Sequence, residues 1–215
     1  PGTDGHLAFM HRYNAALVKA HPEQFSWAST FDLTTRHEPQ YGTRMAAALD
    51  ETSAQGAVMG KIWKEVGLEL TRPDGTFMLP DDPLLDPVYA HLAARKKPLL
   101  AHLAEPLEAW LPLDPKGLHY GYYSQNPQWH LYGKNGFPSH QMLMDARDHI
   151  LVKHPTLTVI GAHVGSMEHD VDEAARRLDR YPNFHVEVSA RTRNLTRQPA
   201  AKVRAFFLKY QDRIL

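Results

Sequence analysis

Two histidines stand at the ends of short apolar runs, and together they are the residues of this sequence best suited to chemistry. Residues 98–101 precede His102, and residues 158–162 precede His163. Each run then breaks into Gly, Ser or Pro, as a buried parallel strand does where its C-terminal end meets a loop. Sites are assembled at that end of a parallel sheet or barrel, so we expect the two imidazoles to converge on one ion or one substrate.

The alternative is that each histidine is a packed core residue, which is the commoner role of a single histidine in an apolar run. The repetition of the pattern weighs against this. Because strand side chains alternate, His163 is predicted to share its face with Gly161 and Gly165, and His102 to share its face with Leu100 and Ala104. The faces nearest the two rings are therefore expected to be small, which leaves room beside the rings for a ligand or a metal.

Composition narrows the classes of partner. The chain has 215 residues, with 24 Lys and Arg against 24 Asp and Glu, so its charge favours neither nucleic acid nor an anionic membrane as a partner. No apolar run approaches the roughly 18 residues that span a bilayer. The absence of cysteine excludes disulfides, thiolate ligands and a cysteine nucleophile. The absence of cysteine leaves the cellular compartment open, with the cytoplasm slightly favoured. The expected partner is a small-molecule substrate.

The elements that must position the histidines alternate between strand and helix. Strands are predicted over 25–31, 57–63 and 184–188 and over the two runs that end at His102 and His163. Helices are predicted over 6–19, 41–55, 86–97, 139–151, 171–178 and 203–210. Five such alternations without a break in composition indicate one α/β domain over residues 1–215, with parallel strands and right-handed crossovers.

The long insertion over 105–138 is the exception to this regularity. It is rich in aromatic residues, among repeated Gly and Pro. A loop longer than about 15 residues in a compact domain is usually functional or disordered, and the aromatic content argues against disorder. Since it follows the strand of His102, we expect it to lie over the site as a substrate lid. The alternative is an oligomer contact, which would make the protein a homodimer.

Five stretches carry a resemblance to a known family. Residues 60–64, 102–106, 160–166, 188–191 and 209–215 resemble the amidohydrolase superfamily, in the right order and over nearly the whole chain. The nearest branch resembles the amidohydrolase-2 group of metal-dependent hydrolases, whose relatives include aminocarboxymuconate-semialdehyde decarboxylase. That group folds as a TIM (β/α)8 barrel with its metal at the C-terminal face. The resemblance therefore implies an α/β TIM barrel, of which this chain covers about strands three to seven.

The resemblance also implies roles for single residues. His102 matches the metal-ligand histidine of the fifth strand, and His163 matches that of the sixth. The implied cofactor is one divalent metal ion, zinc, with manganese as the alternative. Arg191 follows the seventh strand, where the alternative to a substrate contact is a solvated charge. The residues expected to bind substrate are Lys61, Arg191, Trp129 and Tyr132.

Two departures from the family pattern stand beside these matches. The family has a His-x-His pair on its first strand, whereas His6 and His11 here are separated by four residues on a predicted helix. The family aspartate that acts as ligand and general base would follow Leu215, so no catalytic residue is assigned within the chain. A catalytic zinc takes about three protein ligands plus water, so two imidazoles alone would hold it weakly. Five parallel strands would also leave two bare edges, and we expect these residues to be part of a longer polypeptide.

The expected reaction is metal-dependent hydrolysis of a small-molecule amide, ester or lactone by a metal-activated water. The first alternative is non-oxidative decarboxylation at the same metal, since both reactions need the ion and a cationic residue near a carboxylate. The second alternative is a non-catalytic barrel remnant that acts as a binding module, because the ligand set is incomplete.

Overall fold

The computed structural model describes residues 4–215. The strands are β1 (Trp27–Thr30), β2 (Ala57–Ile62), β3 (Leu99–Ala101), β4 (Val159–Gly161) and β5 (Phe184–Val186). The helices are α1 (Asp4–Ala20), α2 (Tyr41–Ala54), α3 (Glu65–Leu68), α4 (Asp86–Ala94), α5 (Tyr120–Gln125), α6 (His140–Lys153), α7 (Ala162–Gly165), α8 (Val171–Arg180), α9 (Thr192–Leu195) and α10 (Ala200–Tyr210). Short 3-10 turns cover Pro83–Leu85, Leu107–Trp110, Pro127–Trp129 and Gln211–Arg213. Among residues 4–215 no helix is long and apolar enough to cross a lipid bilayer.

The five strands form one sheet in the order β1-β2-β3-β4-β5, and every neighbouring pair is parallel. Sequential parallel order with helical crossovers is the arrangement of an arc of a (β/α)8 barrel. Strands β3 and β4 are short and apolar, and their residues Leu99 and Val159 are fully buried, as is Phe184 on β5. This burial explains why the strands read as continuous apolar runs.

A further strand position begins beside β5 at the C-terminal end of the described chain. Ile214 forms a parallel bridge with Val186, and the Leu215 N–H donates to the carbonyl of Val186 at 2.9 Å. The five strands and this single bridge agree with the expectation that the chain covers about strands three to seven of the barrel.

Strands β3 and β4 are shorter than the sequence predicts, and this changes the account of the histidine faces. His102 and His163 lie beyond the ends of their strands. The predicted alternation of His163 with Gly161 and Gly165 is wrong, because His163, Val164 and Gly165 all have positive φ and form a turn in place of a strand.

The insertion over 105–138 is an ordered segment that packs against the hydrophobic core. It contains two 3-10 turns and α5, and its side chains Ala109, Tyr123 and Leu131 are buried. The N–H groups of Leu131 and Tyr132 both donate to the carbonyl of Ala109, and the Trp110 indole donates to a carbonyl near the end of the segment. These contacts anchor the segment at several points along its length.

Candidate functional site

The two histidines reach the site by different backbone routes. His102 continues directly from β3, and its N–H donates to the carbonyl of Ile62 at 3.1 Å. His163 lies in the turn after β4, where φ is 59° for His163, 59° for Val164 and 60° for Ser166. Positive φ is a genuine outlier for a β-branched residue such as Val164, so the turn is strained.

Neighbouring groups stabilise this strained turn. The Val164 N–H donates to the Glu187 carbonyl at 2.6 Å. The fully buried Arg147 guanidinium donates to the Gly165 carbonyl at 2.7 Å, and the His140 ring bonds the Ser166 carbonyl at 2.8 Å. A turn over-determined in this way keeps His163 in a fixed orientation, as strained residues at functional sites require.

The two imidazole rings meet edge to face. The centroids of His102 and His163 are 4.6 Å apart, and their planes are 89° from each other. Burial lowers the pKa of His102 to about 3, with smaller contributions from the positive charges around it. Burial also lowers the pKa of His163, although a hydrogen bond to the Ser189 carbonyl opposes the shift. Both rings are therefore neutral near pH 7, which is the form that binds metals.

The hydrogen bonds of His163 select its tautomer. Its Nδ1 lies 2.9 Å from the Ser189 carbonyl oxygen, which can only accept a hydrogen bond. Nδ1 therefore carries the proton, and the Nε2 lone pair is left available. An imidazole held by Nδ1–H in this way is the usual form of a metal-bound histidine.

Glu187 is the carboxylate beside His163. Its Oε1 accepts from the His163 N–H at 2.6 Å, its Oε2 accepts from the Ser189 N–H at 2.6 Å, and Oε1 is also 3.4 Å from His163 Nδ1. Burial acts to raise the pKa of Glu187, but these hydrogen bonds outweigh burial and lower it. The carboxylate thus fixes the loop that carries His163.

Lys61 lies in β2 close to the rings. It is only 8 % exposed, and burial lowers its pKa to about 8 against the opposing charges of Glu187 and Glu65. Its Nζ lies 4.5 Å from the centroid of the Trp63 ring, which in turn is 6.3 Å from the ring of His102. Lys61 therefore retains a positive charge at pH 7 near the candidate site.

A cleft of about 450 Å³ opens beside His102. Its wall carries several cationic side chains, and the lining residues that matter here are Lys64, His102, Glu105, Arg191, Arg193 and Asn194. Lys64 pairs with the buried Glu105, and its Nζ lies 3.5 Å from the centroid of the Trp129 ring. The balance of charge in the wall suits an anionic group on a ligand.

The substrate residues predicted from sequence are not all brought together. Arg191 lines the cleft. Trp129 does not line the cleft but contacts Lys64, which does. Tyr132 is 53 % exposed and stacks near His130, with ring centroids 6.3 Å apart, away from the cleft lining. The roles of all three in substrate binding stay predictions.

The donor set is suited to a divalent metal only in part. His102 and His163 offer two neutral imidazoles whose rings are in edge-to-face contact. Within residues 4–215, however, no group of three His, Cys, Asp or Glu side chains is arranged to hold an ion. The two imidazoles are therefore compatible with part of a metal site, and metal binding by them stays a prediction.

Two carboxylates of this region were not predicted from the sequence. Glu187 follows β5 directly, and a polar residue at the end of a buried strand was the available signal. Glu168 is 1 % exposed, and its Oε1 lies 3.5 Å from Arg191 Nε. Nothing in its local sequence distinguishes it from a surface glutamate, because its burial depends on the tertiary packing.

The chain resembles several solved structures. An uncharacterized TIM-barrel protein from Bordetella bronchiseptica is 22% identical with a TM-score of 0.58, over 95% of this chain and 57% of that chain. The 2,6-dihydroxybenzoate decarboxylase in complex with 2,6-dihydroxybenzoate is 21% identical with a TM-score of 0.57, over 97% and 64%. A dihydroxybenzoic acid decarboxylase from a Polaromonas species, with bound manganese and the inhibitor 2-nitroresorcinol, is 17% identical with a TM-score of 0.59, over 97% and 62%.

These likenesses confirm the predicted TIM-barrel fold, and the chain spans between 57% and 64% of the length of these three structures. No curated protein matches the sequence. The sequence model of the family described as Amidohydrolase, of the amidohydrolase-2 group, matches residues 10–215, as the resemblance predicted. The chain therefore belongs to the amidohydrolase-2 family.

Proposed function

We propose that the protein is a metal-dependent enzyme that removes carbon dioxide from a small aromatic acid without an oxidant. The observation that carries the proposal is the pair of neutral imidazoles of His102 and His163, which meet edge to face. His102 of this pair lines a cleft whose wall carries several cationic side chains. Similarity to two decarboxylases of hydroxylated benzoic acids supports it, one of them with bound manganese. This changes the order of the reactions expected from sequence, in which hydrolysis stood first.

The proposed roles follow from the positions of the side chains. His102 and His163 would hold one divalent ion, manganese or zinc, together with ligands outside this pair. A divalent ion bound there would supply positive charge that stabilises the negative charge developing on the substrate. Arg191 would bind the substrate carboxylate with its guanidinium, which matches carboxylate geometry through paired N–H donors.

The other residues would orient the substrate and shield it. Lys61 adds a second positive charge near the rings. Residues of the segment 105–138 line the same cleft as Arg191, and the segment would cover a flat ring as the substrate lid expected from the sequence. Decarboxylation breaks the bond between the ring carbon and the carboxylate and releases carbon dioxide, and the electron pair left on the ring carbon takes up a proton that water in the cleft would supply.

The test is a comparison of reactions with the full-length protein loaded with manganese or zinc. Carbon dioxide release from 2,6-dihydroxybenzoate and related hydroxybenzoates is measured beside cleavage of esters, lactones and amides. We expect carbon dioxide release that is lost in His102→Ala and retained in His149→Ala, whose side chain is 69 % exposed and paired with Asp81. Release that survives His102→Ala would contradict the proposal.

Hydrolysis of a small amide, ester or lactone is the second candidate, and the family description favours it. The same panel distinguishes the two reactions, since ester, lactone or amide cleavage without carbon dioxide release would establish hydrolysis. A protein that retains no metal and turns over no substrate of either class would instead be a non-catalytic binding module.

A further inference from the structure

Glu168 is a buried carboxylate that the proposed chemistry does not use. It is 1 % exposed, and within residues 4–215 neither of its carboxylate oxygens accepts a hydrogen bond. Its backbone is held in place, because the Gln198 side-chain amide donates to the Glu168 carbonyl at 2.8 Å. Burial of a carboxylate without hydrogen bonds destabilises the folded protein. The stability of the fold therefore does not explain why a glutamate occupies this position.

Arg191 is the cation that faces this carboxylate. Its Nε lies 3.5 Å from Glu168 Oε1, and this Nε has no hydrogen-bond acceptor within residues 4–215. Arg191 Nη1 donates to the Ala190 carbonyl at 3.1 Å, and the side chain also lines the cleft beside His102. The guanidinium therefore stands between a buried carboxylate on one side and the cleft on the other.

We propose that Glu168 is a positioning residue that holds the guanidinium of Arg191 in the wall of the cleft, so that its outer N–H groups face the carboxylate of a bound aromatic acid. This inference rests on the proposed function, because it takes an aromatic acid as the ligand. Glu168 does not touch that ligand, and it acts only through Arg191.

Two effects of Glu168 on a bound anion have opposite signs. As a negative charge near the cleft it repels an anion, so removing only this charge would tighten binding. As a support for Arg191 it pre-organises the guanidinium, so removing the support would weaken binding. The sign of the change in Kd for Glu168→Gln therefore separates positioning from simple charge.

The experiment measures the Kd of 2,6-dihydroxybenzoate for the full-length, manganese-loaded protein at pH 8, since burial raises the pKa of Glu168 to about 7. The variants are Glu168→Gln, Arg191→Gln and both together. The control is Glu173→Gln, which removes the carboxylate from a different ion pair, the one between Glu173 and Arg177. We expect Arg191→Gln to weaken binding about tenfold or more and Glu168→Gln about fivefold, with the double variant no weaker than Arg191→Gln alone.

Three results would overturn the inference: unchanged or tighter binding in Glu168→Gln, additive losses in the double variant, or an equal loss in the Glu173→Gln control. If Glu168→Gln does not fold, Glu168→Asp takes its place, because the shorter side chain withdraws the carboxylate from Arg191. Binding in Glu168→Asp as tight as in the unsubstituted protein would then overturn it. If the unsubstituted protein binds no 2,6-dihydroxybenzoate, the proposed function fails and this inference fails with it. Binding that needs Arg191 but not Glu168 refutes the inference alone.

Discussion

Replacing Glu168 by glutamine should change how the stability of the protein depends on pH. Burial raises the pKa of Glu168 from 4.5 to about 7, although the charge of Arg191 opposes the shift. The folded protein therefore holds this proton more tightly than the unfolded chain does. The resulting stability is complete below pH 4.5 and is lost as the pH rises through 7.

The size of this effect follows from the two pKa values. A tenfold change in proton affinity corresponds to about 1.4 kcal/mol, so a rise from 4.5 to about 7 makes ionisation of Glu168 cost the fold about 3 kcal/mol. The glutamine side chain carries no charge at any pH, so the variant should avoid this loss. Relative to the unsubstituted protein, Glu168→Gln should gain about 3 kcal/mol between pH 4.5 and pH 8.

The assay is urea unfolding of both proteins at several pH values between 4.5 and 8, followed by circular dichroism. The difference in unfolding free energy between the two proteins removes the contributions of the other titrating groups. If the difference in unfolding free energy between the two proteins stays constant across this pH range, burial does not disfavour the charged form of Glu168. Together with weaker ligand binding in the same variant, a gain in stability would mark Glu168 as a residue kept for function.

Two further substitutions test the packing that positions the site. Gly161→Ala would place a Cβ atom 2.7 Å from the Gly165 Cα, so we expect the unfolding free energy measured in urea to fall by about 1–3 kcal/mol. Gly121→Ala, whose new Cβ atom would have no neighbour within 4 Å, should leave the unfolding free energy almost unchanged. Equal stabilities for the two variants would contradict the close approach beneath the His163 turn. Lys64→Met would leave the buried Glu105 without its cation and should cost about 3–5 kcal/mol by the same measurement. A loss below about 1 kcal/mol would show that the pair behaves as an exposed one.

Much of the fold could be predicted from the sequence because its signals are local. Buried parallel strands give continuous apolar runs, so the runs before His102 and His163 located β3 and β4. The family resemblance then supplied the order of the barrel. The positive φ of His163 and Val164 could not be predicted in this way, because a valine favours extended backbone and tertiary hydrogen bonds impose the turn.

The site was predictable only where chemistry follows directly from a strand end. His102, His163 and Lys61 lie at or just beyond strand ends. The two imidazole rings are in contact, and the Trp63 ring lies near both Lys61 and His102. Glu168 lies in a connection whose burial no sequence pattern reveals. Tyr132 was singled out for its aromatic character, but side-chain direction in an irregular segment is not periodic, and the ring is exposed.

We expect His102 and His163 to bind one metal ion between them. The direct test is a crystal structure of the full-length protein, with anomalous diffraction recorded at the manganese and zinc edges. We predict one anomalous peak within bonding distance of both rings, about 2.0–2.3 Å from a ring nitrogen of each, with His163 bound through Nε2. A peak that contacts neither ring, or metal-loaded crystals with no peak beside the two rings, would show that the two histidines do not bind the metal.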